Sequence, residues 1–241
     1  MKTAIISDVH GNLEALTAVL GCVEPGEELW CLGDMVGYGP DPNECVALIR
    51  ARASAAILGN HDVAALDGHG LAFFNDNARS ALEWTRGVLS PEHAAWLDGL
   101  AYELRMPEYL LVHGAPVDYF AYILGEEAAR KAFAATDAPL VFVGHTHVAD
   151  YYALAPDGTL THAFRQRGGT LTLEPNVRYI VNVGSVGQPR DLNPDASFVT
   201  YDTSSNAIEW KRAAYELART QAKIDEARLP AALARRLSVG R

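Results

Sequence analysis

Residues 3–11 read Thr-Ala-Ile-Ile-Ser-Asp-Val-His-Gly, an apolar run that ends on an aspartate, a histidine and a glycine. Such a run is typical of a buried strand. Asp8 and His10 follow it two residues apart, so both side chains can point to the same side of the strand's end. In open α/β sheets, ligands bind beyond the carboxyl ends of the strands. The stretch therefore predicts an α/β fold with a polar site after its first strand.

Four further blocks repeat this arrangement of an apolar run followed by aspartate, histidine or asparagine. They are Gly33-Asp34, Gly59-Asn60-His61-Asp62, His113-Gly114 and Gly144-His145-Thr146-His147. Carboxylates, imidazoles and an amide carbonyl gathered in one place form a site for hard or borderline metal ions. Together the five blocks predict a hydrolase with two metal ions.

The length of the chain, 241 residues, is enough for one large single-core domain, and no linker or repeat divides it. No uninterrupted apolar run approaches the roughly 18 residues of a membrane span. The start of the chain shows neither a basic segment nor a cleavage site. We therefore expect one domain over residues 1–241, located in the cytoplasm. Cys22, Cys31 and Cys45 lie within helix or strand patterns, which favours buried thiols over a disulfide or a zinc site.

The formal net charge of −10 at pH 7 argues against binding to a nucleic acid duplex or an anionic membrane. Both of those partners require a basic face. The charge does not argue against a small phosphorylated substrate, because two divalent ions would reverse the potential locally. We expect such a substrate as the partner, and the sequence leaves the oligomeric state open.

The first half of the chain alternates strand and helix, whereas strand follows strand after His147. Strands are predicted over 3–7, 28–32, 53–58, 109–112, 140–143, 151–155, 160–163, 171–173, 178–183, 197–201 and 208–210. Helices are predicted over 12–22, from Pro42 with Asp41 as N-cap and Glu44 completing a capping box, and near 126–135. Residues 63–100 should form a mostly helical lid with a helix start at Ser90-Pro91, and residues 215–241 a helical tail.

The order and spacing of the five blocks resemble those of the calcineurin-like metallophosphoesterase superfamily over roughly residues 1–201. Residues 33–40 and 184–190 are similar to the corresponding segments of its small prokaryotic predicted phosphodiesterases. The resemblance implies an α/β fold, a four-layer α/β/β/α sandwich of two mixed β-sheets flanked by helices.

The resemblance also implies a binuclear centre with a defined set of ligands. Asp8, His10 and His147 would bind the first ion, Asn60, His113 and His145 the second, and Asp34 would bridge both. These ligands suit two divalent ions of Mn, Fe, Zn or Ni. Such a centre would hydrolyse a phosphate ester by in-line attack of a metal-bridging hydroxide.

Two residues beside the ligand Asn60 are candidates for catalysis. By resemblance, His61 is the catalytic histidine and donates a proton or a hydrogen bond to the leaving oxygen. Asp62 either orients His61 or caps the helix that follows.

Substrate contacts are less strongly indicated. The Asp-Arg-Gly of the superfamily's protein phosphatases is absent, and Gly37-Tyr38-Gly39 stands in that region. Tyr38 and Arg190 are candidates for substrate binding, and Arg190 either clamps phosphate or pairs with a neighbouring aspartate, Asp191 or Asp195. Phe73 and Phe74 either stack on a base or aryl leaving group or form the lid's own core. Tyr119 and Tyr122 carry the same ambiguity.

The predicted function is a metal-dependent phosphoesterase, with a phosphodiesterase favoured over a monoesterase. A dianionic monoester would need extra cationic groups, and Arg190 is the one found. The alternatives are a nucleotide phosphatase or dinucleoside polyphosphate hydrolase, and a non-catalytic scaffold of the same fold. His61 argues against the scaffold, which has no need of a proton donor beside an intact ligand set.

Overall fold

The computed structural model describes residues 2–241 as twelve β-strands and eight α-helices. The strands are β1 (Lys2–Ile6), β2 (Glu28–Cys31), β3 (Ala55–Ala56), β4 (Glu103–Arg105), β5 (Tyr109–Val112), β6 (Leu140–Val143), β7 (Ala149–Leu154), β8 (Leu160–Phe164), β9 (Gly169–Thr172), β10 (Arg178–Val183), β11 (Ala196–Asp202) and β12 (Ala207–Ala213). The helices are α1 (Leu13–Leu20), α2 (Pro42–Arg52), α3 (Asn60–Asp67), α4 (Asp76–Val88), α5 (Pro91–Asp98), α6 (Glu126–Ala134), α7 (Leu217–Glu226) and α8 (Ala231–Leu237), with a 3₁₀ turn at Leu71–Phe73.

The strands form two mixed sheets of six strands each. The first has the order β3-β2-β1-β11-β12-β9 and the second the order β4-β5-β6-β10-β7-β8. β1, β2 and β3 run parallel in the first sheet, as do β5, β6 and β10 in the second. The carboxyl ends of the strands in each parallel set therefore meet at one edge, where all five polar blocks begin.

Alternation of side chains along the strands produces four layers. Ile5 of β1 packs in the core between the two sheets, together with Phe142 of β6. Ala4 and Ile6 point the other way and pack with Leu16 of α1. Burying one such large apolar side chain stabilises the fold by about 1.5–3 kcal/mol. Because α6 covers the outer face of the second sheet, the predicted α/β/β/α sandwich is confirmed.

Three local predictions in the first half are wrong. The strand expected over 53–58 shrinks to β3, because Ala53 is the C-cap of α2. Asp41 is the N-cap residue of α2, but it makes no side-chain cap bond and forms no capping box with Glu44, since its Oδ2 accepts a hydrogen bond from Lys223 Nζ at 2.9 Å instead. Cys22 is exposed rather than buried, because it lies beyond Val19, the last buried residue of α1.

The lid segment and the tail are helical but more divided than expected. Residues 63–100 contain most of α3, the 3₁₀ turn, α4 and α5, and α5 begins at Pro91 with Ser90 as its N-cap. The tail is two helices, because Pro230 has no N–H with which to continue α7 into α8. β4 was not predicted, since three residues are too few to show alternation. Within residues 2–241, no helix combines the length and apolar character needed to cross a membrane. A single domain stays a prediction.

Candidate metal centre

The polar blocks converge where the parallel strands of both sheets end. The proposed ligands from the first sheet follow β1 and β2 or begin α3, and those from the second follow β5 and β6. They are Asp8, His10, Asp34, Asn60, His113, His145 and His147, and all but the half-buried Asn60 are buried. Segments far apart in sequence thus deliver their side chains to one place.

The backbone of this region is held in an uncommon conformation. Six of its non-glycine residues have positive φ angles: Asp8 (55°), His10 (49°), Asp34 (52°), Tyr38 (58°), His145 (65°) and His147 (60°). Such angles cost roughly 1–3 kcal/mol each in a non-glycine residue, and they gather at functional sites. Main-chain hydrogen bonds between the loops hold them, including His10 N–H to Asp34 O at 2.9 Å.

The first cluster of candidate ligands consists of Asp8, His10 and His147. His147 Nε2 lies 3.1 Å from Asp8 Oδ1 and 3.1 Å from His10 Nε2. The Nδ1 atom of His10 lies 3.1 Å from the carbonyl oxygen of Val36, and that of His147 lies 2.6 Å from that of Gln188. A proton on each Nδ1 satisfies these contacts and leaves a lone pair on each Nε2, which suits a metal ion between them.

The second cluster contains Asp34, Asn60, His113 and His145. His113 Nε2 lies 3.3 Å from Asp34 Oδ2, while its Nδ1 lies 2.7 Å from the carbonyl oxygen of Leu32. Asn60 Oδ1, His113 Nε2 and His145 Nε2 are buried, and none has a hydrogen-bond partner among the described residues. Leaving such an atom unpaired costs about 1–3 kcal/mol. The donor set therefore fits a bound cation.

Asp34 lies between the two clusters. Its Oδ2 is 3.6 Å from His10 Nε2 in the first cluster and 3.3 Å from His113 Nε2 in the second. Its Oδ1 accepts a hydrogen bond from the main-chain N–H of His61 at 2.8 Å. This placement puts one carboxylate oxygen of Asp34 near a histidine of each cluster.

The surroundings of most groups in the cluster shift their pKa values toward the protonation state that a metal ligand needs. Burial lowers the pKa of His145 to about 4 and that of His147 to about 3, so both imidazoles are neutral at pH 7. Burial alone would raise the pKa of Asp34, but His113 and His61 outweigh it and hold that pKa well below its usual range. His113 is the exception, because Asp34 overcomes the effect of burial and raises the pKa of His113 to about 9. Metal binding must displace that proton.

His61 and Asp62 take different positions. The His61 imidazole packs edge-on against His10 and Phe74, with ring centroids 4.6 and 4.8 Å away. It also lies within metal-ligand distance of His10 and Asp34. Asp62 accepts hydrogen bonds from the N–H groups of Gly59, Met35 and Val36 at 3.0, 2.9 and 3.2 Å. These contacts favour the capping interpretation of Asp62 over orientation of His61.

A cavity of about 160 Å³ opens over Asp34 and His61. Its walls include the four predicted substrate-binding residues, Tyr38, Phe73, Phe74 and Arg190. Arg190 donates to Gln188 Oε1 at 3.0 Å and to the Tyr38 hydroxyl at 3.3 Å. Arg190 is not paired with Asp191, because the carboxylate of Asp191 forms a salt bridge with Arg212.

The sequence of residues 1–206 matches the family model of the calcineurin-like phosphoesterase superfamily domain. The chain belongs to this superfamily. A calcineurin-like phosphoesterase is a metal-dependent phosphoric ester hydrolase, so the predicted family and enzyme class are confirmed.

Similar proteins come from several prokaryotes. The crystal structure of a metallophosphoesterase from Sphaerobacter thermophilus has a TM-score of 0.89, 38% identity and 100% coverage of both chains. An uncharacterised protein of Methanocaldococcus jannaschii is 35% identical over an alignment of 246 residues, which covers 99% of this chain and 98% of that protein. A symmetrical bis(5'-nucleosyl)-tetraphosphatase of Shewanella baltica is 32% identical over 143 residues, 54% of this chain and 50% of that protein. The match therefore spans half the length of the tetraphosphatase.

Sequence reasoning missed two residues of the cavity in this calcineurin-like phosphoesterase, the N-cap residue Asn75 of α4 and a charged residue of the tail. The charged residue is Arg236 of α8, which lines the same cavity as Arg190. It lies outside the matched residues 1–206 and within an ordinary Ala-, Arg- and Leu-rich helix. No motif distinguishes it from its neighbour Arg235, and only the packing of the tail brings it to the site. Tyr122, which was ambiguous, also lines the cavity and stacks on His145 with ring centroids 4.0 Å apart.

Proposed function

We propose that this phosphoesterase holds two divalent metal ions and hydrolyses a small phosphorylated substrate. Asp8, His10 and His147 would hold one ion, and Asn60, His113 and His145 the other, with Asp34 shared between them. The observation that supports this most strongly is the set of buried ligand atoms with no hydrogen-bond partner among the described residues, Asp8 Oδ1, Asn60 Oδ1, His113 Nε2 and His145 Nε2. Mn, Fe, Zn and Ni all suit these donors.

Two ions bound there would activate water as the nucleophile and neutralise charge on the phosphate. The protein's own residues position the substrate for in-line displacement, without a covalent enzyme intermediate. The Arg190 guanidinium, directed by Gln188 and Tyr38, binds a phosphate oxygen in the cavity. Phe74 and Tyr38 pack on the His61 ring and exclude water from it.

His61 assists the leaving group. Its Nδ1 is buried without a partner and faces Gly37, where an added Cβ would lie only 2.4 Å away. Nε2 is therefore the nitrogen that serves the substrate. Burial lowers the pKa of His61 despite the nearby Asp34, so the neutral ring donates its Nε2 proton as a hydrogen bond to the leaving oxygen.

The substrate class has two candidates. The scarcity of cations in the motifs favours a phosphodiester, whose reacting phosphate carries a single charge. Arg236 supports the second candidate, a nucleotide phosphatase or dinucleoside polyphosphate hydrolase, because it adds a second cation to the cavity. The partial similarity to a bis(5'-nucleosyl)-tetraphosphatase points the same way.

The test is hydrolysis by Mn²⁺-loaded protein of bis(p-nitrophenyl) phosphate, p-nitrophenyl phosphate and diadenosine tetraphosphate in ¹⁸O-labelled water. We expect turnover of at least one substrate, with one ¹⁸O atom per cleavage in the phosphate product that was attacked and, for the two nitrophenyl esters, none in the released nitrophenol. Label in the nitrophenol would contradict attack at phosphorus. Metal-loaded protein that hydrolyses none of the three would contradict the proposed substrate classes.

A further inference from the structure

Two arginines from separate parts of the chain share the cavity over the metal centre. Arg190 follows β10 in the Gly-rich segment, whereas Arg236 belongs to α8 in the tail. Both side chains line this one cavity, and burial together with the nearby Arg190 lowers the pKa of Arg236. Two like charges side by side are unfavourable unless an anion joins them.

Neither guanidinium is paired with an aspartate or glutamate side chain. Arg190 donates to the neutral groups Gln188 Oε1 and Tyr38 Oη, whereas Arg236 Nε donates to an oxygen of Arg241, the last residue of the sequence. Among residues 2–241, no aspartate or glutamate forms an ion pair with either of them. By contrast, the buried Arg212 is paired with Asp191. The remaining N–H groups of the two arginines are free for a ligand.

Packing of α8 holds Arg236 at the cavity that Arg190 also lines. Leu233, Ala234 and Leu237 of α8 are buried in an apolar cluster with Tyr38, the residue that contacts Arg190. Beyond α8, the main-chain N–H of Leu192 donates to Gly240 O at 2.9 Å. The tail is thus tied to the loop that carries Arg190, and the pair is pre-formed for an anion.

We propose that Arg236 and Arg190 together bind phosphate charge beyond the single charge of a diester. This charge belongs either to a dianionic terminal phosphate or to a phosphate adjacent to the reacting one. Arg236 is then a specificity-determining residue, which favours monoesters and polyphosphates over diesters. The inference rests on the proposed function, since the charge selected is that of the hydrolysed substrate.

The test compares Arg236→Ala and Arg236→Lys with Arg235→Ala, a matched control on the exposed side of the same helix. Three substrates are compared. Bis(p-nitrophenyl) phosphate is a diester with one charge, p-nitrophenyl phosphate has two charges on its single phosphate, and ADP has two adjacent phosphates. Arg236→Ala should lower kcat/KM about 10- to 100-fold on p-nitrophenyl phosphate, on ADP or on both. This is the range expected for the loss of a charge-assisted hydrogen bond. The diester should change less than about threefold by the same reasoning. Arg236→Lys should recover part of the loss, and Arg235→Ala should match wild type.

Pyrophosphate binding, measured by calorimetry on the same Mn²⁺-loaded proteins, provides a readout independent of turnover. Arg236→Ala should weaken it about tenfold, as expected for one lost charge-assisted contact. If wild type hydrolyses nothing, the proposed function fails while this binding still decides the role of Arg236. If kcat/KM falls for ADP alone, Arg236 binds the phosphate adjacent to the reacting one. If it falls for both p-nitrophenyl phosphate and ADP, Arg236 binds the dianionic terminal phosphate.

Equal losses on all three substrates, or no loss and unchanged pyrophosphate binding, would overturn the inference. Should Arg236→Ala disturb the tail, Arg236→Gln keeps the stem of the side chain and removes the charge. It must show the same selective loss.

Discussion

At the scale of single residues, the histidines of the centre are oriented by main-chain carbonyl groups. The Nδ1 atoms of His10, His113 and His147 all contact carbonyl oxygens at 2.6–3.1 Å. Each ring is thereby held with Nε2 toward the cluster, and such outer contacts tune a ligand as well as orient it. The motifs predicted which histidines lie here, but the carbonyls could not be predicted, because main-chain groups leave no signal in the sequence.

The role of His61 gives a prediction at this scale. Protonation or hydrogen bonding matters most when the leaving oxygen is strongly basic, and such assistance is worth about 10²–10⁴-fold. His61→Ala should slow the hydrolysis of alkyl or nucleoside esters within that range and nitrophenyl esters much less. The measurement is kcat on both classes of ester, with metal content determined on the same samples.

The control is His93→Ala, which changes a histidine that does not line the cavity. Equal losses on both leaving groups with metals retained would point to phosphate positioning by His61. Loss of a metal ion would make it a ligand, in line with its distance from His10 and Asp34.

At the scale of elements, the sequence predicted the bounds of strands better than the tertiary contacts of helix residues. β5, β6 and β10 have the predicted bounds because short apolar runs between turn residues are distinctive. The cap expected from Asp41 failed because a tertiary partner, Lys223, lies 182 residues away in the tail. Arg236 was missed for the same reason, since only the packing of α8 places it in the cavity.

The lid yields a prediction that separates its two phenylalanines. Phe73 is 94% exposed at the cavity wall, whereas Phe74 packs on His61 and the apolar core. Phe73→Ala should therefore change relative rates among substrates with different leaving groups and leave the free energy of unfolding near wild type. Phe74→Ala should lower that free energy by about 1–3 kcal/mol, less than full burial would give, and reduce kcat on all substrates.

Substrate panels and chemical denaturation of both variants check this distinction. A uniform loss of rate with Phe73→Ala, or lowered stability, would show that Phe73 belongs to the lid's own core.

At the scale of the whole molecule, the centre lies across the two sheets. Asp8, His10 and Asp34 come from the first sheet, and His113, His145 and His147 from the second. Bound metal ions would therefore connect the sheets and stabilise the folded state over the unfolded one. The five blocks predicted this convergence, because each follows a strand.

The buried histidines make the stability of the metal-free protein depend on pH. Burial lowers the pKa of His147 to about 3, against roughly 6.5 in the unfolded chain. Below pH 6.5 the unfolded state binds a proton that the folded state excludes, so this group opposes folding as the pH falls. Relative to His147→Gln, wild type should lose about 1–1.5 kcal/mol of unfolding free energy between pH 7.5 and 5.5.

Denaturation of EDTA-treated proteins at several pH values measures this difference. Between pH 7.5 and 9 the difference between wild type and His147→Gln should be constant, because His147 is neutral in both states there. If the unfolding free energies of wild type and His147→Gln changed in parallel down to pH 5.5, His147 would not be buried as a neutral ring.

The central claim is that Asp34 joins two metal ions in one centre, and metal content per chain tests it most directly. The measurement is elemental analysis of Mn²⁺-loaded wild type and Asp34→Asn, with Asp157→Asn in an exposed turn as the control. Asn keeps the size of the side chain and one oxygen but removes the charge between the two clusters. We expect two equivalents in wild type and in Asp157→Asn, and one or none in a folded Asp34→Asn protein. One equivalent in wild type, or two in Asp34→Asn, would contradict the binuclear centre.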